Sequence, residues 1–280
     1  VKAVPVKYYA IAIGFILFDL ETVFLFLWAL GAQPLTGGML VALGAPFAVV
    51  SATAPLLQSW FSKGALTRTD DPYFLYAASN FGSLTALLAY PVAIEPLLDL
   101  HDQSATWSGG FVLLVGLVVA CGLATLRGAV AVDGGPKSDS EAIAPISAGR
   151  RLHWIALSFV PSSLLLSATT YITTDIAAVP LLWVLPLALY LLSFVVTFAR
   201  TPLPRHSWVL RITPYVVVLF PIASGLTLSN ASLLLIIHLA LLFTLALMCH
   251  GELARLRPPS ANLTEFYLLM SLGGVLGGLF

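Results

Sequence analysis

Charge is what this sequence has least of. Asp, Glu, Lys and Arg make up 9% of its 280 residues, against about a quarter in a soluble domain. That scarcity excludes a water-soluble globular fold for most of the chain. Formal net charge is zero, with 13 basic and 13 acidic residues, so no basic stripe is left over for a nucleic acid. Two cysteines, Cys121 inside an apolar run and Cys249 at the end of another, exclude a disulfide framework. No Ser, His, Asp nucleophile set, zinc-ligand spacing or cofactor motif is present, so catalysis by this chain alone is not expected. The sequence opens on Val1 rather than Met, and a start further upstream is expected.

Apolar residues fill the space. They reach 59% of the chain, and mean hydropathy is +0.96. A membrane-crossing helix takes roughly 20 apolar residues. Runs of that kind predict nine spans, at about 8–30, 39–60, 73–94, 109–126, 152–171, 177–199, 209–228, 231–249 and 263–280. The expected fold class is therefore all-α, a polytopic membrane helix bundle. Pro161, Pro186, Pro214 and Pro221 fall inside spans, where membrane helices tolerate proline as a kink. Trp28, Trp60, Trp107 and Trp208 fall near span ends, the headgroup level that indole favours. Basic residues precede the first span and "ALGA" follows it, as in a signal peptide, but its long apolar region with two acids speaks for a retained helix.

The placement of Lys and Arg orients the bundle. Lys2 and Lys7 precede the first span, Lys63 and Arg68 follow the second, and Arg127, Lys137, Arg150 and Arg151 follow the fourth. Arg200, Arg205 and Arg211 come after the sixth, Arg255 and Arg257 after the eighth. With nine spans all 13 basic residues share one face, and the positive-inside rule makes that face cytoplasmic. The other face carries Glu95, Asp99, Asp102 and Asp175. The amino terminus is expected inside.

One long polar stretch, "RGAVAVDGGPKSDSEAIAPISAGRR", reads as a cytoplasmic linker at 127–151 between a first bundle, 1–126, and a second, 152–280. On either side, "YFLYAASNFGSL" and "EFYLLMSLGGVL" share a spacing: Phe74, Ser79, Gly82 and Leu84 against Phe266, Ser271, Gly274 and Leu276. These two spans lie six helices apart, and parallel repeats of six spans are how major facilitator transporters are built. The chain then reads as an incomplete twelve-helix bundle of major facilitator-like architecture. Both similar spans are the fifth helix of their half.

From about residue 39 the strings "SATAPLLQSWF", "DPYFLYAASNFGSLTALLAYPVAIEPLL", "VPSSLLLSATTYITTDIAAVPLLWVLPLALYLLSF" and "CHGELARLRPPSANLTEFYLLMSLGGVLGGLF" resemble the membrane portion of bacterial fused major facilitator and spermidine synthase proteins. That resemblance implies a transporter-like module handling a small-molecule substrate, with an aminopropyltransferase-like synthase domain that this sequence does not include. Residues 1–30, through "VKYYAIAIGFILFDLETVFLFLWAL", resemble another family. They look like the second transmembrane helix of the small membrane subunit of respiratory NADH-quinone oxidoreductase that lies beside the quinone and proton-channel region. This second resemblance implies respiratory complex subunits as partners. It carries over Asp19 and Glu21 as that helix's acidic pair.

An Asp or Glu near a helix centre costs about 2.5 to 3.5 kcal/mol on insertion scales, so membrane acids face a bundle interior or water. Asp19 and Glu21 sit roughly 200° apart around a helix and cannot line one face. They are proton-relay candidates, or neutral acids protonated in place. "HGELARLR" puts His250 and Glu252 at an inner span end, where they are cavity candidates, or a polar helix end in which Glu252 pairs with Arg255 or Arg257. In "TTYITTD", Thr174 or Asp175 is a helix cap, or Asp175 is a substrate contact. Gln58, Ser79, Asn80 and His238 either face a central cavity or pack polar between helices. The "GGVLGGLF" run lies in an apolar helix with no preceding strand, so Gly274 and Gly278 are read as small-residue helix packing rather than a phosphate loop. Lipid is the partner common to every reading.

Overall fold

A computed structural model of the chain describes residues 53–61, 72–131, 146–176, 182–226, 230–259 and 262–279. The first expected span with Asp19 and Glu21, most of the second span, and the middle of the 127–151 stretch lie outside these residues. The described residues form helices, and no strand occurs among them. Helix α1 covers 53–61. Next come α2 (Phe74–Ala89), α3 (Leu100–Ala131), α4 (Ala148–Tyr171) and α5 (Val184–Phe198). The chain continues with α6 (His206–Leu226), α7 (Ala231–Arg255) and α8 (Leu263–Leu279). α2 runs on through a π-turn at Tyr90–Ile94 and one more turn at Glu95–Leu97, and α4 ends in a π-turn at Ile172–Ile176.

Five of these helices are long and apolar enough to cross a membrane, and α5 and α8 are shorter apolar helices. A bilayer offers the backbone no partner, so a spanning segment satisfies its amides within itself and becomes a helix. Hydroxyls behave accordingly: Thr85, Thr125, Thr169 and Thr213 each donate to a carbonyl one turn back. Side chains cap helix starts. Ser147 accepts from Arg150 N–H at 3.3 Å to open α4, and Asn230 accepts from Leu233 N–H at 3.0 Å to open α7. The protein is an all-α, polytopic membrane helix bundle.

Several boundaries differ from the sequence reading. α3 begins at Leu100 rather than 109, because Asp99 accepts the Asp102 N–H at 2.8 Å and starts the helix early. α7 extends to Arg255, past the expected 249, because its last turns still pack inside the bundle, with His250, Gly251 and Leu253 buried. The 127–151 stretch is helical at both ends, up to Ala131 and again from Ala148. Pro186 lies in the first turn of α5, where its missing N–H is unpaired in any helix, so it does not interrupt the ladder. Pro161, Pro214 and Pro221 are inside α4 and α6 as expected.

The close contact between α4 and α8 is made by glycine, one residue away from those expected. A Cβ on Gly273 would collide with the Ile155 carbonyl oxygen, and one on Gly277 with that of Phe159. Gly278 instead faces open space, while Gly274 is buried and its carbonyl accepts the Ser162 hydroxyl at 2.9 Å. Bare backbone at 273 and 277 lets the helices touch, as small-xxx-small pairs do in membranes. Around this pair, α2 packs on α5, and α7 contacts α4, α5 and α6. α3 is exposed along its apolar length, with the Trp60 ring against Gly122.

Tyr73, Trp154, Phe198, Leu253 and Phe266 pack into one aromatic-rich core. These residues mark the start of α2, α4 and α8 and the end of α5 and α7. The five helix ends that the Lys and Arg pattern assigns to one face therefore meet at one face. Edge-on ring pairs knit the core, among them Tyr73 with Phe266 at 5.8 Å and Trp154 with Phe266 at 5.0 Å.

Candidate functional site

The interior of the bundle holds a buried polar pair. His250 on α7 is fully buried, and its Nδ1 lies 2.7 Å from the Ser193 hydroxyl on α5. Ser193 Oγ is also 2.6 Å from the Tyr190 carbonyl. A hydroxyl has one proton. If Ser193 donates it to Tyr190, His250 carries its proton on Nδ1 and donates to Ser193, which leaves Nε2 a lone pair. Nε2 is buried and has no hydrogen-bond partner among the described residues.

Aromatic rings surround this imidazole. Phe194 stacks on it with centroids 3.6 Å apart, and Tyr190 meets it edge-on at 5.2 Å. The rings continue from Phe194 to Tyr76 at 5.2 Å and from Tyr76 to Tyr267 at 5.1 Å, joining α7, α5, α2 and α8. A histidine between aromatic faces, with one nitrogen anchored and the other open, can exchange a proton or hold one polar group of a ligand. Ser193 and Tyr190 escaped the sequence reading. The available signal was Ser193 and Thr197, polar positions four apart in an apolar run, both buried.

Glu252 lies two residues further along α7 and takes the other side of the helix. Its carboxylate is 2.8 Å from His206 Nε2 on α6 and 3.2 Å from Arg255. The Arg255 pairing is one of the two expected. His206 was not foreseen, because it sits in a loop-like stretch of sequence that becomes the first residue of α6. Gly251 makes room for it, since a Cβ there would lie 2.5 Å from His206 Nδ1. His250 and Glu252 thus belong to two different sites.

The remaining candidates are scattered. Gln58 on α1 is buried, and its Oε1 has no partner among the described residues. Ser79 is exposed, and Asn80 donates to the Tyr76 carbonyl at 2.8 Å within its own helix. Asp175 is exposed in the π-turn after α4, accepting from Thr174 at 2.8 Å. Neither Thr174 nor Asp175 caps α5, whose N-cap is Trp183 with no side-chain cap bond. His238 lies twelve residues before His250, about 18 Å along a helix axis. It donates Nδ1–H to the Leu234 carbonyl at 2.8 Å and stacks on Tyr171 at 4.4 Å, which is packing between α7 and α4. Asp99, His101 and Asp102 also bring ligand-type atoms within 4.8 Å of one another, all three exposed; the start of α3 accounts for that grouping.

These elements define an integral membrane protein with a buried histidine–serine pair in its interior. Residues 1–67 match the family model of NADH-ubiquinone/plastoquinone oxidoreductase, chain 3. The matched segment contains Asp19, Glu21 and helix α1 with Gln58, and it runs past residue 39, where the resemblance to the fused transporter–synthase proteins was expected to begin. It covers 67 of the 280 residues. No curated protein and no solved structure matches the chain. The resemblance to fused major facilitator and spermidine synthase proteins finds no support in these comparisons.

Proposed function

We propose that this integral membrane protein is a component of a proton-translocating NADH-quinone oxidoreductase assembly, carrying a chain 3-like segment in which Asp19 and Glu21 exchange protons. The observation behind this reading is the family match over residues 1–67, which contains the acidic pair. Physical reasoning adds to it. Two acids roughly 200° apart on one helix ask for polar neighbours on both sides, and a helix enclosed by other subunits has them. Each acid's cost of about 2.5 to 3.5 kcal/mol is offset only where such partners exist. In this reading the helices after residue 67 anchor the segment, the membrane is the bacterial inner membrane, and the Lys/Arg face is cytoplasmic. The test is purification of the tagged full chain from its native membranes. Co-purifying NADH-quinone reductase activity, and NADH-driven proton uptake by membrane vesicles that Asp19→Asn and Glu21→Gln reduce at least about tenfold, are expected. Purification without any such activity would refute the reading.

A second reading is favoured by the packing of α8. It treats the chain as the transporter-like module of a polyamine-synthase-like fusion, with bundles 1–126 and 152–280 joined by a cytoplasmic linker at 127–151. In that reading α4 is the first helix of its half and α8 the fifth, and the two pack through Gly273 and Gly277. α2 is the fifth helix of the other half, whose first helix the sequence does not include. Gly82, the counterpart of Gly274, has nothing within 4 Å among the described residues. His250, Gln58, Ser79, Asn80, Asp175, His238 and Glu252 are then the candidates for lining a path for a small cationic metabolite. Uptake of labelled spermidine by proteoliposomes, lost in His250→Phe, is expected; empty-vesicle rates would sink it.

A further inference from the structure

At the Lys/Arg-rich end of the bundle a cavity of about 710 Å³ opens between the end of α5, the start of α6 and the end of α7. Arg200, Arg205, Arg255 and Arg257 line it together with His206. Arg255 pairs with Glu252 at 3.2 Å, and Arg200 lies 4.2 Å over the Phe74 ring. Neither Arg200 nor Arg205 has a carboxylate partner among the described residues. His206 Nδ1, buried in the same wall, has no hydrogen-bond partner there either. α6 begins at His206, so its positive dipole end adds to the same potential. The two guanidiniums unpaired among the described residues, Arg200 and Arg205, make an anion receptor, and their planar forks match phosphate oxygens.

A neighbouring groove narrows the choice of anion. It measures about 440 Å³ and shares Pro204, Arg205, Val209 and Leu247 with the cavity. From there it follows α6 past Trp208 and Ile212, both exposed, and its lining is almost wholly apolar. A soluble anion would fill the cavity and leave the groove unused. A molecule that joins a phosphate to an acyl chain fits both, and an indole such as Trp208 favours the headgroup level.

We propose that the cavity and groove together bind one anionic phospholipid, its phosphate held by Arg200 and Arg205 and an acyl chain laid along α6 over Ile212. Basic pockets between membrane helices have the charge that acidic headgroups require. The cavity and groove share no lining residue with the His250–Ser193 pair or with residues 1–67, so the test is independent of either functional reading.

The test is native mass spectrometry of the full chain in non-ionic detergent, titrated with phosphatidylglycerol or with phosphatidylcholine of the same acyl chains. Phosphatidylglycerol is expected to bind about tenfold more tightly. Arg200→Gln with Arg205→Gln is expected to weaken it about fivefold per arginine, and the corresponding double lysine variant to restore most of the loss. Ile212→Trp, which fills the groove, is expected to weaken phosphatidylglycerol and leave glycerol phosphate binding unchanged. Melting temperatures equal to the parent's establish that each variant folds; should the double Gln variant melt early, Ile212→Trp decides. Equal affinity for the two lipids would mean that the arginines are neutralised from within the chain, and overturns the proposal. Competition by glycerol phosphate at equal concentration, with Ile212→Trp silent, would assign a soluble anion and overturn it as well.

Discussion

Ser162 on α4 donates its hydroxyl to the Gly274 carbonyl on α8 at 2.9 Å, between two points where the helix backbones touch. Ser162 and Gly274 are both buried. The bond forms only because Gly273 and Gly277 on either side lack side chains. Close packing and interhelical hydrogen bonding therefore share one cause.

Adding a methyl at those contacts is expected to be costly. Gly273→Ala and Gly277→Ala each press a Cβ into a carbonyl oxygen and the Ser158 or Ser162 side chain, a backbone clash that a rotamer change cannot relieve. Overpacking of this kind costs about 1–3 kcal/mol. Gly278→Ala, with nothing within 4 Å, is expected to leave the protein unchanged. Thermal unfolding in detergent in a Cys121→Ser background, followed by a thiol-reactive dye at the buried Cys249, compares the three. Equal melting of all would refute the contact.

Ser193→Ala is expected to destabilise the bundle by about 1–3 kcal/mol, because it strands His250 Nδ1 in an apolar interior. His250→Phe keeps the ring stack on Phe194 and removes both polar nitrogens. The double variant is then expected to be more stable than Ser193→Ala alone. A double-mutant cycle on melting free energies reads this coupling; additive losses would mean that the pair is not formed.

The polar ties at the core face are expected to differ in weight by burial. Tyr73 donates to the Pro258 carbonyl at 2.8 Å, and Trp154 Nε1 donates to the Leu256 carbonyl at 3.2 Å. Both residues are buried. Arg151 and Glu265 pair at 2.6 Å but are partly exposed. Tyr73→Phe is expected to cost about 1 kcal/mol or more, and Glu265→Gln less than about 1 kcal/mol. A larger loss from Glu265→Gln in chemical denaturation would reverse the assignment.

Orientation has a direct check. Ser140→Cys in a Cys121→Ser background is expected to resist a membrane-impermeant maleimide in intact cells and to react after permeabilisation. Labelling from outside would place the Lys/Arg face on the other side of the membrane.

Much of the architecture was legible because hydropathy and helix length are properties of the local chain. Apolar runs in a medium without water must be helices, and the alternation of Arg-bearing loops predicted which helix ends would meet. Tyr73, Trp154, Phe198, Leu253 and Phe266 do meet. Rotation of each helix about its axis was not legible, since a membrane helix is apolar all round and has no water-facing side to orient it. That rotation made Gly273 and Gly277 the contact rather than Gly274 and Gly278. It also turned Ser79 outward while His250 turned in, and brought Glu252 to His206. Residue types and spacing determined the class of protein and its candidate polar groups. Only the packing of one helix against another decided which of those groups share a site, because such pairings join positions tens of residues apart.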